Sequence, residues 1–237
     1  MANYFALIPA AGQGARMASE MPKQYLDLLG KPMIYHTINR LCDCPQIRKV
    51  FVILSSKDTY WSSFPFQEIS NKLEPLYCGG ETRADSVRNG LTEIAHQVDK
   101  NDWILVHDAA RPCINIEDVG RLIREVGEDD AGGILAVPVA DTIKRGNAEG
   151  RISATEPREH LWRAQTPQMF RHGLLLKALS DAREMAPTDE ARAMERMGYH
   201  PKLVLGDNNN LKVTYPEDLK MASMILSTGL AEGQDNQ

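Results

Sequence analysis

No apolar run in this chain of 237 residues approaches the roughly 20 needed to cross a bilayer, so no membrane span is expected. Lys and Arg are not in excess. Their 27 side chains stand against 32 of Asp and Glu, a net charge of −5, which argues against a nucleic-acid-binding surface. Cysteine is scarce: Cys42-x-Cys44 has no second pair at zinc spacing, and with Cys78 and Cys113 it is read as small buried or half-buried residues. The histidines are scattered, with no His-x-x-x-His pair and only His107 beside a candidate site. The first apolar run starts almost at Met1, which leaves no room for a signal or transit peptide, so a cytoplasmic protein is expected.

Two familiar phosphate loops are also missing. A dinucleotide fingerprint needs G-x-G-x-x-G and a later acid for the ribose. Gly12-Gln13-Gly14 supplies two glycines, but Met17 takes the third place, and the run Val50 to Leu54 ends at Ser55-Ser56. A P-loop needs Gly-Lys-Ser/Thr, whereas Gly30-Lys31 is followed by Pro32.

What is present is a different small-residue loop. Pro9-Ala10-Ala11-Gly12-Gln13-Gly14-Ala15-Arg16 directly follows the apolar run Tyr4 to Ile8. At the carboxyl end of a buried strand such a turn exposes main-chain N–H groups that can cradle a polyphosphate. Arg16 and Lys23 add positive charge for it.

Continuous apolar runs at Phe5–Ile8, Val50–Leu54, Trp103–Val106, Ile134–Val137 and Leu203–Leu205 alternate with helical stripes. The stripes include Ile34/Ile38/Leu41, Val87/Leu91/Ile94, Val119/Leu122/Ile123/Val126 (capped by Asn115) and Leu219/Ala222/Leu226, the last opened by Pro216. This pattern predicts an α/β fold: a Rossmann-like, mostly parallel sheet covered by helices, in one domain over residues 1–226. Residues 139–166 carry no helical stripe. Thr142–Arg145, a turn at Gly146-Asn147 and Arg151–Thr155 predict a two-stranded β-arm. An isolated hairpin is barely stable in water, so it must pack on a second subunit or fold back on its own domain. The polar tail 227–237 is expected to be disordered.

Further candidates fall at other strand ends. Gly79-Gly80 lets the chain pass close to a planar base, and Arg83 and Ser86 follow near a helix start, where they could bond phosphate or base carbonyls. Asp108, beside Ala109, suits a ribose hydroxyl or a metal-bound water. Lys212, between Leu211 and Val213, either points outward on an edge or aims its charge into a cleft.

Pro9 to Met17, Pro22-Lys-Gln-Tyr25, Gly30-Lys-Pro32, His107-Asp-Ala-Ala-Arg-Pro112, Thr166-Pro-Gln168, Leu211-Lys-Val-Thr214 and Pro216-Glu-Asp-Leu219 occur in this order. Together, from about Tyr4 to Leu226, they resemble the cytidylyltransferases that act on 2-C-methyl-D-erythritol 4-phosphate in the non-mevalonate route to isoprenoids. The resemblance implies transfer of CMP from CTP, with Mg²⁺ held largely by phosphate oxygens and release of pyrophosphate. It implies catalytic roles for Arg16, Lys23 and Lys212. Pro9, Ala10, Ala11, Gly12, Gly14, Gly80, Glu81, Arg83, Ser86, Asp108 and Ala109 would hold the nucleotide. Thr142, Thr166 and Thr188 match the alcohol-contacting positions, and Arg158 matches the arginine that a second subunit lends to the substrate phosphate, so a homodimer through the β-arm is implied. The chain departs from the family at His160, where glycine is more usual, and at Arg192 after Thr188-Asp189-Glu190-Ala191. Rival readings are a ribitol 5-phosphate cytidylyltransferase and a CTP-binding module without catalysis. A nicotinamide dehydrogenase is disfavoured by the missing fingerprint.

Overall fold

In the computed structural model, residues 2–12, 21–181 and 187–234 are described. Strand β1 (Tyr4–Pro9) alternates its side chains across the sheet, so Phe5 and Leu7 enter one core and Ala6 and Ile8 another. Short β2 (Asp27–Leu28) and β3 (Lys31–Pro32) form a two-stranded ribbon before α1 (Met33–Asp43). Next come β4 (Ile47–Ile53), β5 (Leu73–Leu76), α2 (Arg83–Glu93), β6 (Trp103–Val106), α3 (Ile116–Val126) and β7 (Gly133–Pro138). The chain continues through β8 (Ile143–Gly146), β9 (Ile152–Glu156), β10 (Trp162–Arg171), α4 (His172–Asp181), α5 (Glu190–Arg196), β11 (Lys202–Leu205) and α6 (Pro216–Gln234).

The main sheet has seven strands in the order β11-β7-β10-β6-β1-β4-β5. All its neighbours run parallel except β10, which is antiparallel to both β6 and β7. Ile34, Ile38, Leu41, Val119, Leu122 and Val126, from α1 and α3, cover one face. Val87, Leu91, Leu175 and Met194, from α2, α4 and α5, cover the other. Burial on both faces explains the unbroken apolar runs of the interior strands, whereas in edge strand β11 only Val204 is buried. Asn115 caps α3 by accepting the Glu117 N–H, and Pro216 is the first residue of α6, both as expected.

Three expectations need correction. Strand β10 was not legible as a strand, and residues from Trp162 on, assigned to the arm, belong to the main sheet. Its buried side chains include Gln165, Thr166 and Gln168, so no apolar run announces it. These polar groups are buried because each finds partners; Gln168, for example, donates to Asp189 and accepts the Ala191 N–H. Within the arm, β8 pairs antiparallel with β9 as predicted, but the turn lies later, over Asn147–Gly150. Asn147 Oδ1 accepts the N–H groups of Glu149 and Arg151, and Gly150 supplies the left-handed φ of +75°. Finally, α6 runs on through Gln234, past Ser227, where a disordered tail was expected to begin. Extending an existing helix needs no new nucleus, and Leu230, Ala231 and Glu232 are good helix formers.

Candidate active site

The segments that follow the carboxyl ends of β1, β5 and β6 line a cleft of about 270 Å³. Its lining includes Pro9, Ala10, Ala11, Gly12, Lys23, Gly80, Glu81, Arg83, Ser86, Asp108, Ala109 and Lys212. Of the twelve nucleotide and triphosphate residues named from sequence within the described segments, every one is here. Gly14 and Arg16 lie outside the described residues.

The loop after β1 is pinned from two sides. Ala10 donates its N–H to the Ile53 carbonyl at 2.8 Å, and its own carbonyl accepts from Gln24 Nε2 at 2.7 Å. Gln24 is buried and was not singled out from sequence; its place inside Pro22-Lys-Gln-Tyr25 was the available signal. The Gly79-Gly80 turn passes against this loop. A Cβ on Gly79 would sit 2.3 Å from Ala11 Cβ, and one on Gly80 2.4 Å from Asp85 Cβ. Glycine is therefore required here by close approach. Ser86 Oγ accepts the Gly80 N–H at 3.1 Å and donates to the Thr82 carbonyl, so this buried hydroxyl shapes the turn that was expected to touch the base. A capping box between Thr82 and Asp85 fixes the start of α2.

Asp108 is the electrostatic centre of the cleft floor. Its Oδ1 accepts from Arg83 Nε at 2.8 Å, and its Oδ2 lies 2.7 Å from Lys212 Nζ. Burial would raise the Asp108 carboxyl, but the Arg83 guanidinium and the Lys212 ammonium outweigh it and hold it well below the usual carboxylate range. Lys212 thus aims its charge into the cleft, which resolves the alternative left open by sequence. Lys23 Nζ donates to the Val213 carbonyl at 3.0 Å, one residue along the same segment. Arg83 was expected to reach a phosphate or base. Instead its Nη1 and Nη2 fork onto Glu190 at 2.6 and 3.0 Å, while its Nε holds Asp108.

Beneath Asp108 lies His107, fully buried. Its Nε2 is 3.2 Å from the Arg111 carbonyl, which can only accept, so Nε2 carries the proton. Nδ1 then accepts from the Thr166 hydroxyl at 3.0 Å, and Thr166 Oγ1 accepts the Asp108 N–H. Burial lowers the His107 pKa to about 4, partly opposed by the bond to the Arg111 carbonyl. Thr166, matched by resemblance to an alcohol contact, is buried in this arrangement.

A second hollow of about 340 Å³ adjoins the cleft, lined by Arg111, Arg163, Gln165, Asn210 and Lys212 among others. Arg111 and Arg163 were not chosen from sequence. Arg111 stands inside the quoted His107–Pro112 motif, whereas Arg163 carries no sequence signal of its own. Thr142, Arg158 and Thr188 are exposed and line neither cavity. Thr142 and Arg158 stand at the base of the arm, where Arg158 donates to the Ala140 carbonyl. Among the described residues no three His, Cys, Asp or Glu side chains converge as a metal cage.

The IspD family model, described as 2-C-methyl-D-erythritol 4-phosphate cytidylyltransferase, matches residues 4–228. Proteins of that name from Dechloromonas aromatica (strain RCB) and Azoarcus sp. (strain BH72) are 54% and 55% identical to this chain. Each alignment covers 95% of it, and 98% and 94% of the respective relatives. A crystal structure of 4-diphosphocytidyl-2C-methyl-D-erythritol synthase is similar with a TM-score of 0.84 at 40% identity, over 95% of this chain and 99% of that one. The Francisella tularensis cytidylyltransferase of the same name as the family gives 0.80 at 34% identity, over 94% of this chain and 100% of that one. With match, fold and cleft in agreement, the chain belongs to the 2-C-methyl-D-erythritol 4-phosphate cytidylyltransferase family.

Proposed function

We propose that this chain transfers CMP from CTP to 2-C-methyl-D-erythritol 4-phosphate, giving the CDP-alcohol and pyrophosphate. One observation carries the reading beyond family membership: Lys212 lines both the nucleotide cleft and the arginine-bearing hollow beside it. Two anions bound on either side of one ammonium would meet at the α-phosphorus. An acceptor phosphate oxygen forms the new P–O bond in line as the bond to pyrophosphate breaks, so alignment and charge neutralisation carry the catalysis. Lys212 counters charge at the α-phosphate as the transition state forms, and Lys23 with Arg16 takes the departing pyrophosphate. The alanine and glycine loop and the Gly79–Glu81 turn enclose the cytidine.

Magnesium belongs to this proposal. The donor set fits a hard ion that keeps its ligands as phosphate and water; Asp108, whose oxygens face Arg83 and Lys212, would reach it only through such a water. When bound, the ion neutralises phosphate charge. The acceptor end needs more than one chain supplies. Thr142 and Arg158 sit on an arm whose surface is almost wholly exposed, Ile152 at 69%. We place them in the site of a second subunit, in a homodimer built on the arm. The four free cysteines accord with a reducing, cytoplasmic setting.

Pyrophosphate release with CTP and Mg²⁺, offering methylerythritol phosphate and ribitol 5-phosphate in parallel, tests the assignment. Turnover with the first alone is expected. Turnover with ribitol phosphate alone would replace the acceptor, and silence with both would leave a nucleotide-binding module.

A further inference from the structure

Glu190 is the most deeply buried carboxylate in the protein's described part, at 0% exposure, and its two oxygens serve a single partner, the Arg83 guanidinium. Arg83 in turn holds Asp108 through Nε, and Asp108 Oδ2 faces Lys212 at 2.7 Å, with Arg111 Nε farther off at 3.9 Å. The contacts form one line, Glu190 to Arg83 to Asp108 to Lys212, from the start of α5 to the ammonium between the two cavities. The line is firmly seated at its far end. Asp189, beside Glu190, caps α5 through the Arg192 N–H and accepts from Gln168 Nε2, while Gln168 Oε1 takes the Ala191 N–H.

We infer that Glu190 is a positioning residue for Lys212, acting by dictating how Arg83 shares Asp108. The inference rests on the role given to Lys212 above. A guanidinium beside a carboxylate prefers to fork it with two N–H groups. Here the fork of both Nη groups onto Glu190 fixes where the guanidinium lies, and from that position only Nε reaches Asp108. Asp108 therefore keeps one oxygen for Lys212, which fixes the ammonium over the line of attack. With the Glu190 charge removed, the guanidinium as a whole is free to shift along Asp108 until an Nη joins Nε on the carboxylate and displaces Lys212 from Oδ2. A buried ion pair kept merely for stability has a weak rationale, since well-packed apolar side chains often serve as well. Its extension to a catalytic ammonium supplies the stronger one.

The test is Glu190→Gln, which keeps the shape and one acceptor and removes the charge. Expected is a kcat about tenfold lower per folded molecule, with KM for CTP and for methylerythritol phosphate within about twofold. A purely structural pair predicts a lowered melting temperature with unchanged kcat in the folded fraction, and that result overturns the inference. A crystal structure of the variant reads the geometry without turnover. Arg83 forking Asp108, with Lys212 Nζ withdrawn from Oδ2, supports the inference; an unchanged Asp108–Lys212 contact overturns it. If Glu190→Gln does not fold, Arg83→Lys replaces it, because one ammonium cannot bridge both carboxylates in the same plane; the same loss of kcat is expected, and wild-type kcat would refute the relay. Wild-type turnover measured alongside separates failure of this inference from failure of the proposed reaction.

Discussion

Among single residues, Lys212 carries the sharpest expectation. It faces Asp108 at 2.7 Å and borders both cavities, so Lys212→Met should lower kcat by ~10²–10³ while KM for CTP moves only a few-fold, the pattern of a group that acts mainly in the transition state. Steady-state kinetics decides; a fall confined to CTP affinity would reduce Lys212 to a binding group. His107 makes a prediction about pH. Burial holds its pKa at about 4 against 6.5 in the unfolded chain, so below pH 6.5 the unfolded state takes up a proton that the folded state refuses. Stability should therefore fall on acidification from 6.5 towards 4, by about 1.5 kcal/mol between 6.5 and 5. Urea unfolding of wild type and His107→Asn at both pH values checks this, and equal losses in the two would refute it. His160 adopts a left-handed φ of +66° just after the turn residue Arg158, which explains why glycine is the more usual residue there. His160→Gly should raise stability by up to about 1 kcal/mol, because the left-handed region costs a side chain roughly that much. An unchanged or lower urea midpoint would contradict that account.

The secondary-structure elements divide sharply in how readable they were. Strands β1, β4, β6 and β7 could be read directly, since burial on both faces writes a strand as an apolar run; β11 was read from Leu203–Leu205 although, at the sheet edge, only Val204 of it is buried. β10 could not, because Gln165, Thr166 and Gln168 are buried through hydrogen bonds that only the folded neighbours provide. The arm was legible as a hairpin, but its turn was placed too early, because Asn147, the second residue of the expected turn, opens the bend and organises the residues after it with its side chain. Its exposure leads to a prediction at this scale. Ile152→Asp should shift a homodimer towards monomer in sedimentation equilibrium, and Arg158→Ala should raise KM for methylerythritol phosphate more than tenfold with little change for CTP. An unaltered mass for the first, or unaltered kinetics for the second, would detach the arm from the acceptor site.

For the molecule as a whole, the site was readable in outline because strand ends collect ligands in open α/β sheets, and the sequence marks those ends with small residues and isolated charges. The pairing inside the site was not. Arg83 looked like a phosphate ligand because its commitment to Glu190 joins positions 107 residues apart, a separation at which local pattern says nothing. The acidic molecule nonetheless gathers Lys23, Arg111, Arg163 and Lys212 around adjoining cavities, which focuses attraction for anions there. The sheet also shows how such a protein can acquire an appendage without risk to its core. Val139 donates its N–H to the Leu161 carbonyl at 3.0 Å, and Trp162 pairs with Pro138. Residues 140–160 therefore leave and re-enter at one doorway, a parenthesis in the chain that can lengthen, shorten or change its partner while the sentence around it still parses.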